Sequence, residues 1–455
     1  MKGLAQMFKF PDNFVWGVAT SSFQIEGAVD VDGRSESIWD RLCKRPGAIA
    51  DNTNGDVACD HYNRWPEDVK IMSDMGVGAY RFSVAWPRII PTGRGATNQK
   101  GIDFYSRLVD GLLEAGIDPC VTLYHWDLPQ ILEDQGGWTN RDTAYAFADY
   151  TETISRALGD RVKTWVTINE PWCISVLGYI NGEHAPGIKN DWPKALSAAH
   201  HVMLGHGLAV PIIRDNVPDG EVGITVNLVP NEPASQSGAD RDACRHFDGF
   251  FNRWYLDPVF GRGYPADRVA DLVKAGEIPS SDLPFLHKGD LETIAADSDF
   301  LGINYYSRAV IRDEKAENND PPDVVSTKNE TDMGWEVWPL GLEQILVRLK
   351  DDYNPKAIQV TENGCAYATA PNADGIVEDT ERIAYFDGHI RACAKAIEQG
   401  VPLTAYYAWS LLDNFEWAFG YEKRFGLVYV DYDTLDRTPK QSAHWYRDLI
   451  QKGGI

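Results

Sequence analysis

Strand-forming and helix-forming runs alternate along this chain, and the alternation recurs eight times. Apolar, β-rich segments fall at residues 15–20, 79–85, 118–124, 164–169, 222–228, 300–305, 357–362 and 403–410. Between them lie amphipathic stretches; in 102–115, for example, Ile102, Tyr105, Val109 and Leu112 share one face of a 3.6-residue turn. The same spacing predicts helices at 67–75, 143–158, 195–216, 243–256, 340–352 and 380–398, and a short, weak one at 291–296. Parallel strands need long crossovers, and helices of this length supply them, so the pattern predicts an α/β chain closed into a (β/α)8 TIM barrel. An open doubly wound sheet is the competing arrangement. Its common nucleotide-binding form carries a glycine-rich fingerprint after the first strand, where this chain has Ser21-Ser-Phe-Gln-Ile-Glu-Gly27. No low-complexity linker interrupts the 455 residues, which points to a single barrel over 1–455 with its most polar stretch, 313–332, as a surface loop.

Charge and cysteine usage narrow the partners. Forty-three Lys+Arg against 67 Asp+Glu leave a formal charge of −24, which repels phosphate backbones and anionic lipid heads. Nucleic-acid and membrane partners are therefore not expected. The first ten residues, MKGLAQMFKF, show no apolar signal core, and no run of about 18 apolar residues stands out. Seven scattered cysteines with no C-x-x-C spacing read as reduced thiols, so a cytoplasmic location is expected. The sequon at Asn329-Glu-Thr331 then reads as chance. Oligomeric state stays open between monomer and homo-oligomer.

A barrel gathers the residues at the C-terminal ends of its strands into one mouth. Here those residues are Gln24, Arg81, His125-Trp126, Asn169-Glu170, Asn304-Tyr305-Tyr306, Glu362 and Trp409. Two carboxylates, several amides and an imidazole stand among large aromatic faces, with no cluster of metal ligands and no cofactor fingerprint. Such a lining suits a neutral polyol, because each hydroxyl removed from water without a partner costs roughly 1–3 kcal/mol. Paired glutamates at strand ends are the equipment for cleaving a glycosidic bond, one carboxyl protonating the leaving oxygen and the other ionised. Whether the second attacks the sugar directly or through a water depends on their separation, which sequence spacing does not give.

The order of the motifs adds a family resemblance. The run from Phe10 to Ala28, F-P-D-N-F-V-W-G-V-A-T-S-S-F-Q-I-E-G-A, is followed by Tyr80-Arg-Phe-Ser-Val-Ala-Trp86, Tyr124-His-Trp-Asp-Leu-Pro129, Thr167-Ile-Asn-Glu-Pro171 and Val360-Thr-Glu-Asn-Gly364. Tyr406-Tyr-Ala-Trp-Ser-Leu-Leu-Asp-Asn-Phe-Glu-Trp417 and Gly420-Tyr…Arg424-Phe-Gly-Leu427 complete the set. In this order the chain resembles glycoside hydrolase family 1, the retaining β-glycosidases, over nearly its full length. The resemblance implies that Glu170 is the acid/base and Glu362 the nucleophile of a two-step displacement. It implies that Asn169 holds the 2-hydroxyl of the sugar, and that Gln24, His125, Trp409, Glu416 and Trp417 contact the rest of that ring, with Trp126 counted among the binding residues. Tyr306 and Arg81 are implied as partners of the nucleophile, Asn304 as a supporting residue, and Trp335 as an aromatic platform for the leaving group. Neither a cofactor nor a metal is implied. The expected substrates are small oligosaccharides and glycosides with a terminal β-glucosyl unit, such as cellobiose, cello-oligosaccharides and aryl β-glucosides, with β-galactosides and β-fucosides alongside; this places the chain in cellulose degradation. A 6-phospho-β-glucosidase is disfavoured, since Glu416-Trp417 puts a carboxylate where a 6-phosphate would lie.

Each residue alone has a plainer reading. His125 reads as a core histidine, Trp126, Trp409 and Trp417 as barrel packing, Glu416 as an ion-pair partner. Only their joint order overturns this. The run Ala198–His206 carries histidines at 200, 201 and 206, which is not the i, i+4 metal pair, and reads as an outer helix. No G-x-S-x-G elbow is present. Two alternatives to hydrolysis remain at this point: a transglycosidase using the same intermediate, and a sugar-binding relative without activity, which would be expected to lack one of the carboxylates.

Overall fold

The computed structural model describes residues 8–313, 323–324 and 329–455. Eight parallel strands close into a barrel: β1 (Val15–Ala19), β2 (Ala79–Ser83), β3 (Asp118–Tyr124), β4 (Thr164–Asn169), β5 (Glu221–Asn227), β6 (Phe300–Asn304), β7 (Ile358–Asn363) and β8 (Leu403–Trp409). Each pairs with its sequence neighbours, and β1 closes the ring by pairing Val15 with Ala405 and Ala19 with Trp409. The strands are buried on both faces, which is why they read as nearly continuous apolar runs. The expected strands agree with these to within one or two residues. Most of the expected loop at 313–332 lies outside the described residues.

The outer face of the ring packs against helices that include His61–Met75, Gln99–Glu114, Asp142–Leu158, Trp192–Asn216, Pro339–Asp352, Thr380–Glu398 and Gln441–Lys452. A second, smaller cluster fills the lumen, with Ala19, Ala79, Cys120, Val166, Phe300, Ala405 and Tyr407 at its centre. Small residues there leave room for Arg81, which shares the inward face of β2 with Ala79 by the two-residue period of a strand. Phe8 and Ile455 exchange two backbone hydrogen bonds of 2.8 and 3.0 Å.

Two expectations need correction. The helix at 67–75 begins earlier, at His61, with Pro66 inside it. Proline withholds one N–H from a first turn that is fixed by Tyr62 stacked on Phe104 at 4.4 Å. The single helix expected over 243–256 is instead an α-helix at Gly238–Asp248, a π-helical turn at Gly249–Arg253 and a further α-helix at Trp254–Val259. The helix Gln441–Lys452 was not anticipated at all, although its Tyr446 hydroxyl donates to the Gly17 carbonyl at 2.9 Å and docks it on β1. Finally, Trp192–Asn216 is long and apolar enough to cross a membrane by length and composition, yet most of it is buried inside the fold.

Gly302 shows how tight the lumen is. A Cβ there would sit 2.3 Å from Thr225 Oγ1 and 3.0 Å from Thr361 Cγ2. Gly302→Ala should therefore lower the stability by about 1–3 kcal/mol through overpacking, read as a fall in the urea-unfolding midpoint at unchanged slope.

Candidate active site

The mouth of the barrel is organised by what each strand does after its last apolar residue. Glu170 follows β4 directly, and Glu362 is the penultimate residue of β7, three places around the ring. Both are buried, at 5% and 3% exposure. Glu170 has φ of +51°, a left-handed conformation that a non-glycine residue seldom adopts. Trp126 and Trp417 share it, with φ of +81° and +49°. Three such residues around one pocket place backbone strain where side chains must be aimed, and hydrogen bonds hold it there.

Arg81 is the centre of those bonds. Its Nη1 donates to Glu362 Oε1 at 2.6 Å and to the Thr361 carbonyl at 3.1 Å. Its Nη2 donates to Asn169 Oδ1 at 2.7 Å, and its Nε to Thr122 Oγ1 at 3.1 Å. Tyr306 donates its hydroxyl to the other oxygen of Glu362 at 2.7 Å. Glu170 has only uncharged donors: Asn304 Nδ2 reaches Oε1 at 2.6 Å, and the Cys173 thiol reaches Oε2 at 3.0 Å. Thr361 donates to Asn304 Oδ1 at 2.8 Å, which turns the Asn304 amide nitrogen toward Glu170 and Asn169.

The two carboxyls therefore differ in kind. Burial, then the negative charge of Glu362, push Glu170 up to about 7. Burial also raises Glu362, while the Arg81 charge and the Tyr306 hydrogen bond pull it back. Glu362, the carboxyl beside the guanidinium, is the one that ionises first. The pocket thus pairs a carboxyl that tends to keep its proton with one that gives its proton up more readily, the arrangement glycosidic cleavage requires.

Other predicted residues line the same mouth. Asn169 donates from Nδ2 to His125 Nε2 at 3.1 Å, and Trp126 donates its indole N–H to the Asn169 carbonyl at 2.8 Å. Burial, then the Arg81 charge, hold His125 well below its usual range, so the ring is neutral; its buried Nδ1 has no protein partner. His125 stacks on Trp409 at 5.8 Å and on Trp417 at 5.9 Å. Gln24 Nε2 donates to the Phe415 carbonyl at 2.9 Å, to Asn414 Oδ1 at 3.0 Å and to Glu416 Oε2 at 3.4 Å. Burial, then the charges of Glu362 and Glu170, push Glu416 up to about 8. Trp335 packs beside Tyr306 at 5.3 Å, on the rim. The histidines of the long helix turn inward onto the protein: His200 meets Asp290, His201 the Trp138 carbonyl and His206 Thr167.

Sequence reasoning missed Cys173, Thr361 and Asn414. Cys173 sits in a mostly apolar stretch, where a cysteine reads as core. Thr361 and Asn414 lie inside quoted motifs, but nothing in their spacing shows that they orient neighbours.

Comparison with known proteins agrees with this geometry. Residues 6–455 match the family described as Glycosyl hydrolase family 1. Beta-glucosidase A of Acetivibrio thermocellus is 47% identical, covering 98% of this chain and 99% of that protein. The 1,4-beta-D-glucan glucohydrolase of Thermotoga neapolitana is 45% identical over 99% of this chain and 100% of its own. A solved structure of the family 1 β-glucosidase from Thermotoga maritima superposes with a TM-score of 0.93 at 44% identity, covering 99% and 100% of the two chains.

The mutual influence of the carboxyls can be read directly. Glu362→Gln removes the anion that helps keep the proton on Glu170, so the Glu170 titration seen by ¹³C NMR of labelled glutamate should move down from about 7 by roughly one unit or more.

Proposed function

The chain belongs to glycosyl hydrolase family 1 and is a retaining β-glucosidase, and on that premise we propose that Glu362 is its nucleophile and Glu170 its acid/base catalyst. One observation carries the assignment of roles. Glu362 is the carboxyl gripped by a guanidinium and a phenol, whereas Glu170 is held by an amide and a thiol. The first environment favours an anion that can attack; the second, deeper in electrostatic debt, favours a proton that can be given away.

In the first step Glu362 bonds to the anomeric carbon while Glu170 protonates the departing oxygen. The resulting ester cancels the charge of Glu362 and with it part of what kept Glu170 protonated. Glu170 is then a base that takes a proton from water, and that water releases the sugar with its β-configuration. Activity should fall as pH rises through the Glu170 value of about 7, because the acid must carry its proton.

Cellobiose, short cello-oligosaccharides and aryl β-glucosides are the substrates, and the Trp335 rim offers a flat face to an aryl group; a related protein is named for glucan hydrolysis. With a proton on Glu416 near neutral pH, that carboxyl can both donate to and accept from the 4-hydroxyl in either orientation, which supports β-galactosides and β-fucosides as further substrates. The guanidinium of Arg81 is committed to Glu362, Asn169, Thr122 and the Thr361 carbonyl, so it is not available to a 6-phosphate. Seven unpaired cysteines support a cytoplasmic location, and the charge of −24 supports the absence of nucleic-acid and membrane partners.

The test separates the two carboxyls. Glu362→Gln should lower kcat by at least about 10⁴-fold on every substrate. Glu170→Gln should cost about 10²–10⁴-fold on cellobiose and far less in the glycosylation step of an aryl glucoside with a good leaving group. The first sugar released should be the β-anomer by NMR; an initial α-anomer rules the mechanism out.

A further inference from the structure

We infer that Cys173 is a positioning residue for the acid/base carboxyl, its thiol hydrogen fixing Oε2 of Glu170 while Asn227 fixes the thiol. This rests on Glu170 being the acid/base.

The local chain geometry brings the thiol there. Glu170 stands in a left-handed conformation, and Pro171-Trp172 start a helical path that continues as a π-helix over Cys173–Asn181. Side chains on a helix lean toward its N-terminus, and residues three apart share a face. Cys173 therefore leans back over Glu170, with Sγ 3.0 Å from Oε2. The sulfur has a donor of its own: Asn227 Nδ2, at the end of β5, lies 3.6 Å from Sγ. With its acceptor side engaged, the sulfur presents its hydrogen to Glu170. The thiol stays protonated and so remains a donor, because burial, then the charge of Glu170, push it well above its ordinary value.

Two donors thus fix the Glu170 carboxyl, one on each oxygen: the Asn304 amide on Oε1 and the thiol on Oε2. Their effects are not equal through the reaction. A donor stabilises the ionised carboxyl, so the thiol opposes the burial that raises Glu170 and makes it easier for the proton to leave toward the glycosidic oxygen. It also holds the carboxylate in register for the water of the second step, where a misplacement of about 1 Å can cost 10²-fold. A thiol is a weak donor, weaker than a hydroxyl. It moderates the carboxyl without locking it in the ionised state that would abolish its acid role.

The experiment compares variants that differ in the donor. Cys173→Ala and Cys173→Val lack one; Cys173→Ser keeps one. In both donorless variants the basic limb of the kcat/KM–pH profile on cellobiose should move up by about half a unit. Their kcat on cellobiose should fall by roughly 3–10-fold with little change in KM. Cys173→Ser should restore both readings toward the parent. Either donorless variant that folds, judged by its melting temperature, suffices. A basic limb that stays in place in a folded donorless variant, or a serine variant no closer to the parent than alanine, overturns the proposal and leaves Cys173 as packing. Glu170→Gln is measured alongside. If its basic limb persists unchanged, the assignment of Glu170 itself fails; if that limb vanishes while the cysteine variants are silent, only the role of Cys173 fails.

Discussion

One buried cation organises the mouth of this barrel. Arg81 is 1% exposed, and its side chain joins strands β2, β3, β4 and β7 through Thr122, Asn169, Glu362 and the Thr361 carbonyl. A guanidinium out of water is tolerated only when its donors are met. Here the groups that meet them are Glu362, the Thr361 carbonyl, Thr122 and Asn169 beside Glu170. The requirement to satisfy one arginine therefore fixes the relative positions of residues nearly two hundred places apart in sequence.

The same cation sets the electrostatics. Three carboxyls, Glu170, Glu362 and Glu416, share a desolvated pocket in which Arg81 is the committed positive partner of only one. Burial, then mutual repulsion, push Glu170 to about 7 and Glu416 to about 8. The pocket thus approaches neutrality by keeping protons. In the proposed mechanism those protons are useful: one would serve the leaving group, and the other gives Glu416 a donor as well as an acceptor for a sugar hydroxyl.

Much of this was legible beforehand because strands buried on both faces leave a dense apolar signal, and β3 and β4 were read to the residue. The residues following those strands were legible because a barrel puts them together whatever their sequence distance. The failures have a common cause. Cys173–Asn181, C-I-S-V-L-G-Y-I-N, is apolar on nearly every side, so it has no face for periodicity to detect and its π-helical winding leaves no mark. The helix Gln441–Lys452 buries only Ser442, Ala443, Tyr446 and Leu449, a stripe too narrow to stand out among its charges. The small strands at Asn231–Pro233 and Ala309–Arg312 are shorter than any recognisable alternation. The role of Cys173 was hidden for a different reason: a hydrogen bond across a turn is a property of three-dimensional placement, and residue type alone does not carry it.

The left-handed backbone at Glu170 sets the interests of folding and of turnover against each other. Glycine is the residue that this conformation prefers. Glycine there would relieve the strain but leave the Asn304 amide and the Cys173 thiol without the carboxyl they bond, so the strained glutamate holds together the polar cluster around it.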